Sequence, residues 1–378
     1  MPLRRQSYRY KQVSPLSDAE RQPRRRLQIH PGAVSVGGLF KKQVIPMSVT
    51  KSGTQNATDS ARSRLPIRRR DTVPHQLPAD LSPILQRLYA SRGLVRPEQL
   101  NLQAGALLKP GFKGMAEAVM LLEQALAAQR NILIVGDFDC DGATSSALMV
   151  HGLRAMGAQK VNYLVPNRFD YGYGLSPQVV EEAVGLGAEL LITVDNGISS
   201  IAGVAAAKAA GMQVIVTDHH LPGEEVPDAD AIVNPNQHGC DFPSKNLAGV
   251  GVAFYLLLAL RAALTEHGWF RKLDITAPNM GEYLDLVALG TVADVVALDE
   301  NNRVLVHQGL QRMRAGRLRP GIQALIDISG RNQQRLVATD LALPWGPGSM
   351  RWAGSTTCRW EWPVCSATIW MRPASWRR

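Results

Sequence analysis

The sequence predicts an α/β protein built on a doubly wound parallel sheet, with a helical N-terminal lead-in and disordered ends. Three observations carry this. From position 114 onward, short apolar strands alternate with amphipathic helices. The strands are nearly continuous in apolar residues, as strands covered on both faces must be. Before about position 71 and after about position 341 the chain has no period, and its balance of charge changes.

The elements follow in order. Residues 1–46 are rich in Arg, Gln, Ser and Pro. They read as a solvated basic arm, as a nucleic-acid-binding arm, or as residues before a true start at Met47. The wider arm is expected over 1–70. The helical lead-in spans 71–113, where "LPADLSPILQRLYASRGL" has Pro and Asp near a helix start and Gly after its end. In the α/β domain, expected over 114–300, "GMAEAVMLLEQALAAQR" is a helix and "NILIVGD" a strand. "GATSSALMVHGLRAMGA" is a helix and "VNYLVPNR" a strand. "SPQVVEEAVGLG" and "IAGVAAAKAAGM" are helices, followed by the strands "ELLITVDNG" and "QVIVTDHH" respectively; "DAIVNP" is a further strand. Residues 247–266 and 282–298 read as helices, and 301–341 as connecting helices.

Composition excludes several classes. With 378 residues and 45% hydrophobic content, the chain can bury two or three cores. No apolar run is expected to reach the length that spans a bilayer, so a cytoplasmic protein without membrane contact is the expectation. Cys140, Cys240, Cys358 and Cys365 are too few and too scattered for a disulfide scaffold or a zinc ribbon. The net charge is +10, yet it sits at the ends. Residues 1–71 carry 16 Lys/Arg against 4 Asp/Glu, residues 342–378 carry 5 against 1, and the middle is mildly acidic. The charge alone therefore does not argue for nucleic acid.

The chemistry lies at the strand ends, where ligands bind in an open parallel sheet. Three successive strands are expected to end in acidic or imidazole residues. "GDFDCDG" supplies Asp137, Asp139 and Asp141; "TVDNG" supplies Asp195; "TDHH" supplies Asp218, His219 and His220. Carboxylates gathered this way repel unless a divalent cation joins them, and oxygen-rich sets with a His suit Mn²⁺ or Mg²⁺. An EF-hand fails, because its twelfth position is Leu148 where a Glu is required. An aspartate-nucleophile phosphatase would use Asp139 but leave both histidines idle.

These runs resemble the DHH phosphoesterase superfamily, and within it the exonucleases specific for single-stranded DNA. The resemblance rests on "VGDFDCDGATSSAL", "YLVPNRFDYGYGLS", "LLITVDNGISS", "VIVTDHHLPG", "NLAGVGVAFYL" and "LDLVALGTVADVVAL", and covers about residues 66–341. It implies two Mn²⁺ or Mg²⁺ ions on Asp139, Asp141, Asp195, His219 and Asp294. Asp137 and Asp218 would orient ligands or water, and His220 would stand beside the scissile phosphate. Arg168 would approach a phosphate or be a surface arginine. Gly249 and Gly251 would bring backbone close to substrate or allow tight helix packing. Cys140 is expected to point into a sheet face.

The implied activity is metal-dependent hydrolysis of single-stranded DNA from the 5′ end to mononucleotides, in recombination and repair. A single-strand-binding protein and a helicase are the implied partners. A phosphodiesterase for short oligonucleotides or cyclic dinucleotides is the alternative from the same superfamily. A metal-binding or DNA-binding remnant without turnover is the non-enzymatic one.

Residues 340–362 hold four of the seven Trp and lose the resemblance. Restoring one G before the codon for Ala342 lets the next codons read Gly-Phe-Ala-Leu, as the family has it. Residues 342–378 are thus expected to be a frameshifted tail without a fold of its own.

Overall fold

The computed structural model describes residues 71, 73–166 and 171–342. They lie in the second of the chain's two units, Arg69–Arg378. The expected basic arm (1–70), Arg168 and nearly all of the expected frameshifted tail lie outside the described residues.

The lead-in forms helix α1 (Pro83–Ala90), which begins where Ser82 Oγ accepts from the Leu85 amide and Pro83 takes the first position. Helix α2 (Met115–Ala127) precedes strand β1 (Ile132–Gly136), helix α3 (Cys140–Ala155) and strand β2 (Val161–Leu164). Next come α4 (Pro177–Gly185), β3 (Leu190–Val194), α5 (Ile201–Ala209), β4 (Gln213–Thr217) and β5 (Ala231–Val233). The remaining helices are α6 (Gly249–Glu266), α7 (Trp269–Lys272), α8 (Leu284–Ala293), α9 (Glu300–Arg314), α10 (Pro320–Ser329) and α11 (Ala338–Ala342).

All strand pairs are parallel, in the order β2-β1-β3-β4-β5. Alternate residues of each strand serve opposite faces. Ile132, Ile134, Ile192 and Ile215 join a core with α2, α3, α6 and α8. Leu133, Val135, Leu191 and Val214 join a second core with α4 and α5. Apolar residues at every strand position are what two covered faces require.

The order corrects one expectation. The three site-bearing strands are not successive in the chain, because β2 intervenes. They are neighbours in space because β1 pairs with β3 and β3 with β4. The order reverses direction at β1, so the β1–β3 crevice is the topological switch point.

Two further corrections concern helices. Helix α6 is long and apolar enough to cross a membrane by length and composition. Most of it is buried, and it packs on α2, α3 and α8, so its apolarity is that of a core helix. The helix expected over 282–298 is shorter: a 3₁₀ turn (Met280–Tyr283) leads into α8, which stops at Asp294 because Val295 turns left-handed with φ 64°. Beyond it, Arg319 is pinned to buried Asp285 of α8 through its guanidinium and its amide, and stacks over the Tyr283 ring at 4.7 Å. This fixes the start of α10 against the start of α8.

Candidate metal centre

Each site residue is placed by an identifiable local device. β1 ends at Gly136, and the chain then turns into α3 with Asp139 as its N-cap, whose Oδ1 accepts from the Gly142 amide at 2.9 Å. Asp141 falls in the first helical turn and is 1% exposed. Its carboxylate accepts from the amides of Gly249 (2.5 Å) and Val250 (2.9 Å), buried donors that have no partner within α6 itself. Asp195 follows β3 in a left-handed conformation, φ 61°, which Asp tolerates better than most residues. Asp294 is the C-cap of α8.

Two glycines make this convergence possible. A Cβ on Gly249 would lie 2.6 Å from Cβ of Asp195. A Cβ on Gly290 would lie 2.3 Å from Thr144 Oγ1 and 2.9 Å from Asp141 Oδ1. Helices α6 and α8 therefore approach the site with no side chain in the gap.

His219 is the hub. Its Nε2 lies 3.1 Å from Asp195 Oδ1, 3.5 Å from Asp294 Oδ2 and 3.9 Å from Asp141 Oδ2. His219 Nε2, Asp195 Oδ1 and Asp294 Oδ2 are buried without a hydrogen-bond partner. Three overlapping groups each hold ligand atoms within 4.8 Å of one another: Asp141–His219–Asp294, Asp137–Asp139–Asp195 and Asp195–His219–His220.

The electrostatics fit a cation. Burial first, and then Asp294 and Asp139, push the Asp141 carboxyl well above the usual range. Asp195 is pushed up by burial and by Asp141, Asp139, Asp218 and Asp294. Burial also raises Asp294. Burial lowers the His219 imidazole, which favours the neutral form that binds metals. Orphaned buried oxygens, mutual repulsion and a neutral imidazole aimed at one point are the donor set a hard divalent cation satisfies.

Asp218 and His220 form a second unit. Asp218 is 1% exposed. It accepts from the Ile198 amide at 2.9 Å, the His219 amide at 2.7 Å and His220 Nδ1 at 2.7 Å. Burial alone would raise its pKa; the hydrogen bond and charge of the His220 ring, with the amides of Ile198 and His220, outweigh burial and hold it below the usual range. The same bond raises His220, whose side chain stays 47% exposed.

Residues 131–291 match the model of the DHH family, N-terminal domain. That segment is a domain of the DHH family. Its likeness to RecJ proteins is high: 59% identity over 273 residues to the single-stranded-DNA-specific exonuclease RecJ of Salmonella typhimurium, covering 72% of this chain and 47% of the relative. The RecJ of Escherichia coli is 54% identical over 288 residues, covering 76% and 50%. The chain thus spans about half the length of the curated relatives it matches. Among solved structures, exonuclease RecJ bound to manganese is 33% identical with a TM-score of 0.54, covering 71% of this chain and 66% of that one. RecJ in complex with Mn²⁺ from Thermus thermophilus is 32% identical with a TM-score of 0.55, covering 74% and 40%.

The structure brings Asp139, Asp141, Asp195, His219 and Asp294 together. It also groups Asp137 with Asp139 and Asp195, nearer to ligand position than the orienting place expected for it. Gly249 and Gly251 are corrected: both are buried, and a Cβ on Gly251 would meet Leu247 at 2.8 Å, so they serve close packing and present no surface to a substrate. Cys140 starts α3 and packs, partly buried, against the core between the sheet and helices α2, α3, α6 and α8.

Some site residues escaped the sequence reading. Tyr173 O–H lies 3.2 Å from the Asp195 carbonyl and 3.4 Å from His220 Nδ1, with its ring edge-on to His220. Asn234 and Asn236 donate to the carbonyls of His220 and His219 at 2.9 and 2.5 Å, which shapes the loop carrying both histidines. The only available signal was their position: both asparagines follow β5, on the same sheet edge.

Proposed function

We propose that this chain is the catalytic core of a metal-dependent exonuclease that hydrolyses single-stranded DNA from the 5′ end to mononucleotides, in recombination and DNA repair. The observation that carries it is the His219 hub with its three carboxylates, set in a chain 54–59% identical to exonucleases of that name. Asp139, Asp141, Asp195, His219 and Asp294 would hold Mn²⁺ or Mg²⁺, with Asp137 beside them. When bound, such ions supply Lewis acidity toward a phosphoryl oxygen and a water acidified toward hydroxide.

The chain's own residues supply the rest. His220 keeps its Nδ1 hydrogen on Asp218 while its ring stays half exposed. Its raised pKa favours the imidazolium, which stabilises the negative charge that grows on a phosphate under attack. Asp218 fixes the tautomer and the ring plane. Tyr173 stands edge-on to the same ring, its O–H 3.4 Å from the Nδ1 that faces Asp218. Buried walls around Asp141 and Asp195 keep the interactions strong by excluding water. On this reading the cytoplasm is the working compartment, with a single-strand-binding protein and a helicase as partners that supply and hold the strand.

The test is cleavage by the purified chain in Mn²⁺ of a long oligonucleotide labelled at either end, with a dinucleotide as competitor. Mononucleotide release from the 5′ end of the long strand is expected. Preference for the dinucleotide would shift the reading to a short-oligonucleotide phosphodiesterase, and release from the 3′ end would contradict the polarity.

A further inference from the structure

The helix that delivers Asp294 ends at a cost to the fold. Val295 takes the left-handed conformation, φ 64°, immediately after the C-cap. Glycine is the usual residue there, because any Cβ is crowded and a branched one more so. Gln129 also has a positive φ, but its side-chain amide donates to Leu126 and Gly157 and its carbonyl oxygen accepts from Gln159. The Val295 side chain has no polar group to do this, and it is 82% exposed, so packing among the described residues does not recover the strain. The Val295 amide donates to the Val292 carbonyl at 3.3 Å, a bond a glycine would make equally well, so the valine itself is unexplained by it, and strain of this kind next to a site points to use by a ligand.

A second loop also carries an exposed aliphatic residue, without the left-handed backbone. Leu221 follows His220 directly and is 79% exposed. Asp294 Oδ2 and His219 Nε2 are 3.5 Å apart, so the two loops meet at the hub. Two exposed aliphatic residues thus follow directly in the chain on Asp294 and His220.

From this we infer that Val295 and Leu221 form an apolar rest for the base of the nucleotide whose phosphate enters the site. This rests on the nucleic-acid reading above. A base is the apolar part of the molecule covalently tied to that phosphate. Two isolated aliphatic groups suit the face of one ring, whereas a polypeptide partner would need a continuous face. Contact of this kind is tolerant of base identity, because every base has an apolar face.

Binding measured by fluorescence anisotropy tests the inference. The probes are a 5′-phosphorylated oligo(dT) and the same strand with abasic residues at its first two 5′ positions. The proteins are wild type, Val295→Gly, Val295→Ala and Leu221→Ser. Wild type should prefer the base-bearing end. Val295→Gly should weaken that strand about fivefold, the weight of one partly buried aliphatic side chain, and leave the abasic strand unchanged. Its Tm should rise, since glycine relieves the strain. Val295→Ala, which keeps the strained backbone, should show the same loss without the rise. Equal loss on both strands would overturn the inference and make Val295 a support for Asp294 or a contact for a polypeptide. No preference in wild type would overturn it as well. Preferential binding by wild type without cleavage in Mn²⁺ would keep the inference and sink the exonuclease reading instead.

Discussion

His219 and His220 are adjacent in sequence and opposite in environment. Burial pulls His219 toward neutrality, while Asp218 holds a proton on His220. The pair therefore divides into a metal-type imidazole and a charge-type imidazolium, and each should fail in its own way. His219→Ala should abolish Mn²⁺-dependent cleavage, by about a thousandfold or more, with circular dichroism unchanged. Asp218→Asn should lower kcat about 10- to 100-fold through the wrong His220 tautomer while leaving Mn²⁺ affinity near wild type. A lost metal affinity in that variant would move Asp218 into the ligand set. Asp139 needs a finer probe because it also caps α3. Asp139→Asn keeps a cap oxygen of similar strength. It should therefore fold like wild type and lose cleavage, whereas retained cleavage would leave Asp139 with the cap alone.

At the scale of elements, the site is a meeting of one sheet edge with two helix ends. The N-terminus of α6 donates two amides to Asp141, and the C-terminus of α8 presents Asp294. Gly249→Ala would drive a methyl to 2.6 Å from Cβ of Asp195. A loss of about 1–3 kcal/mol in stability is expected, together with lost activity, read by thermal melts and cleavage side by side. Unchanged melting would show that α6 can retreat from Asp195. Here the limits of the sequence are physical. The strands and their acidic ends were readable because continuous apolar runs and a change to Asp and His leave a linear trace. The adjacency of β1, β3 and β4 was not, since pairing is set by crossovers and no residue marks it. Gly249 looked as open to a ligand as to packing until Asp195 was found against it. The early stop of α8 gave no warning, because Val295 stands where a glycine would have announced it. Asn234, Asn236 and Tyr173 act through backbone carbonyls and one imidazole nitrogen, contacts without a spacing rule.

At the scale of the whole molecule, the buried carboxylates tie stability to pH and to metal. Asp141, Asp195 and Asp294 all have folded-state pKa values above the ordinary carboxylate value of about 4. In the metal-free protein these three groups hold more protons folded than unfolded, so their contribution to stability is fully present in acid and is lost as pH rises past about 4 through their raised values. Saturating Mn²⁺ should offset this, giving a larger rise in Tm at pH 7.5 than at pH 5, where protons compete for the same oxygens. A pH-independent rise would place the ion elsewhere. Deleting residues 1–46 should change cleavage less than about fivefold, the weight of one or two phosphate contacts. A loss beyond about a hundredfold would make that basic segment part of the enzyme.

All of these rest on the claim that His219, Asp141, Asp195 and Asp294 are one metal centre. Titration calorimetry with Mn²⁺, on wild type and on Asp195→Asn, tests it most directly. Asp195 belongs to two of the three ligand groups, so the account predicts saturable binding in wild type and a loss of about tenfold or more in the variant. Equal affinity in the two proteins, or no saturable binding in wild type, would contradict it.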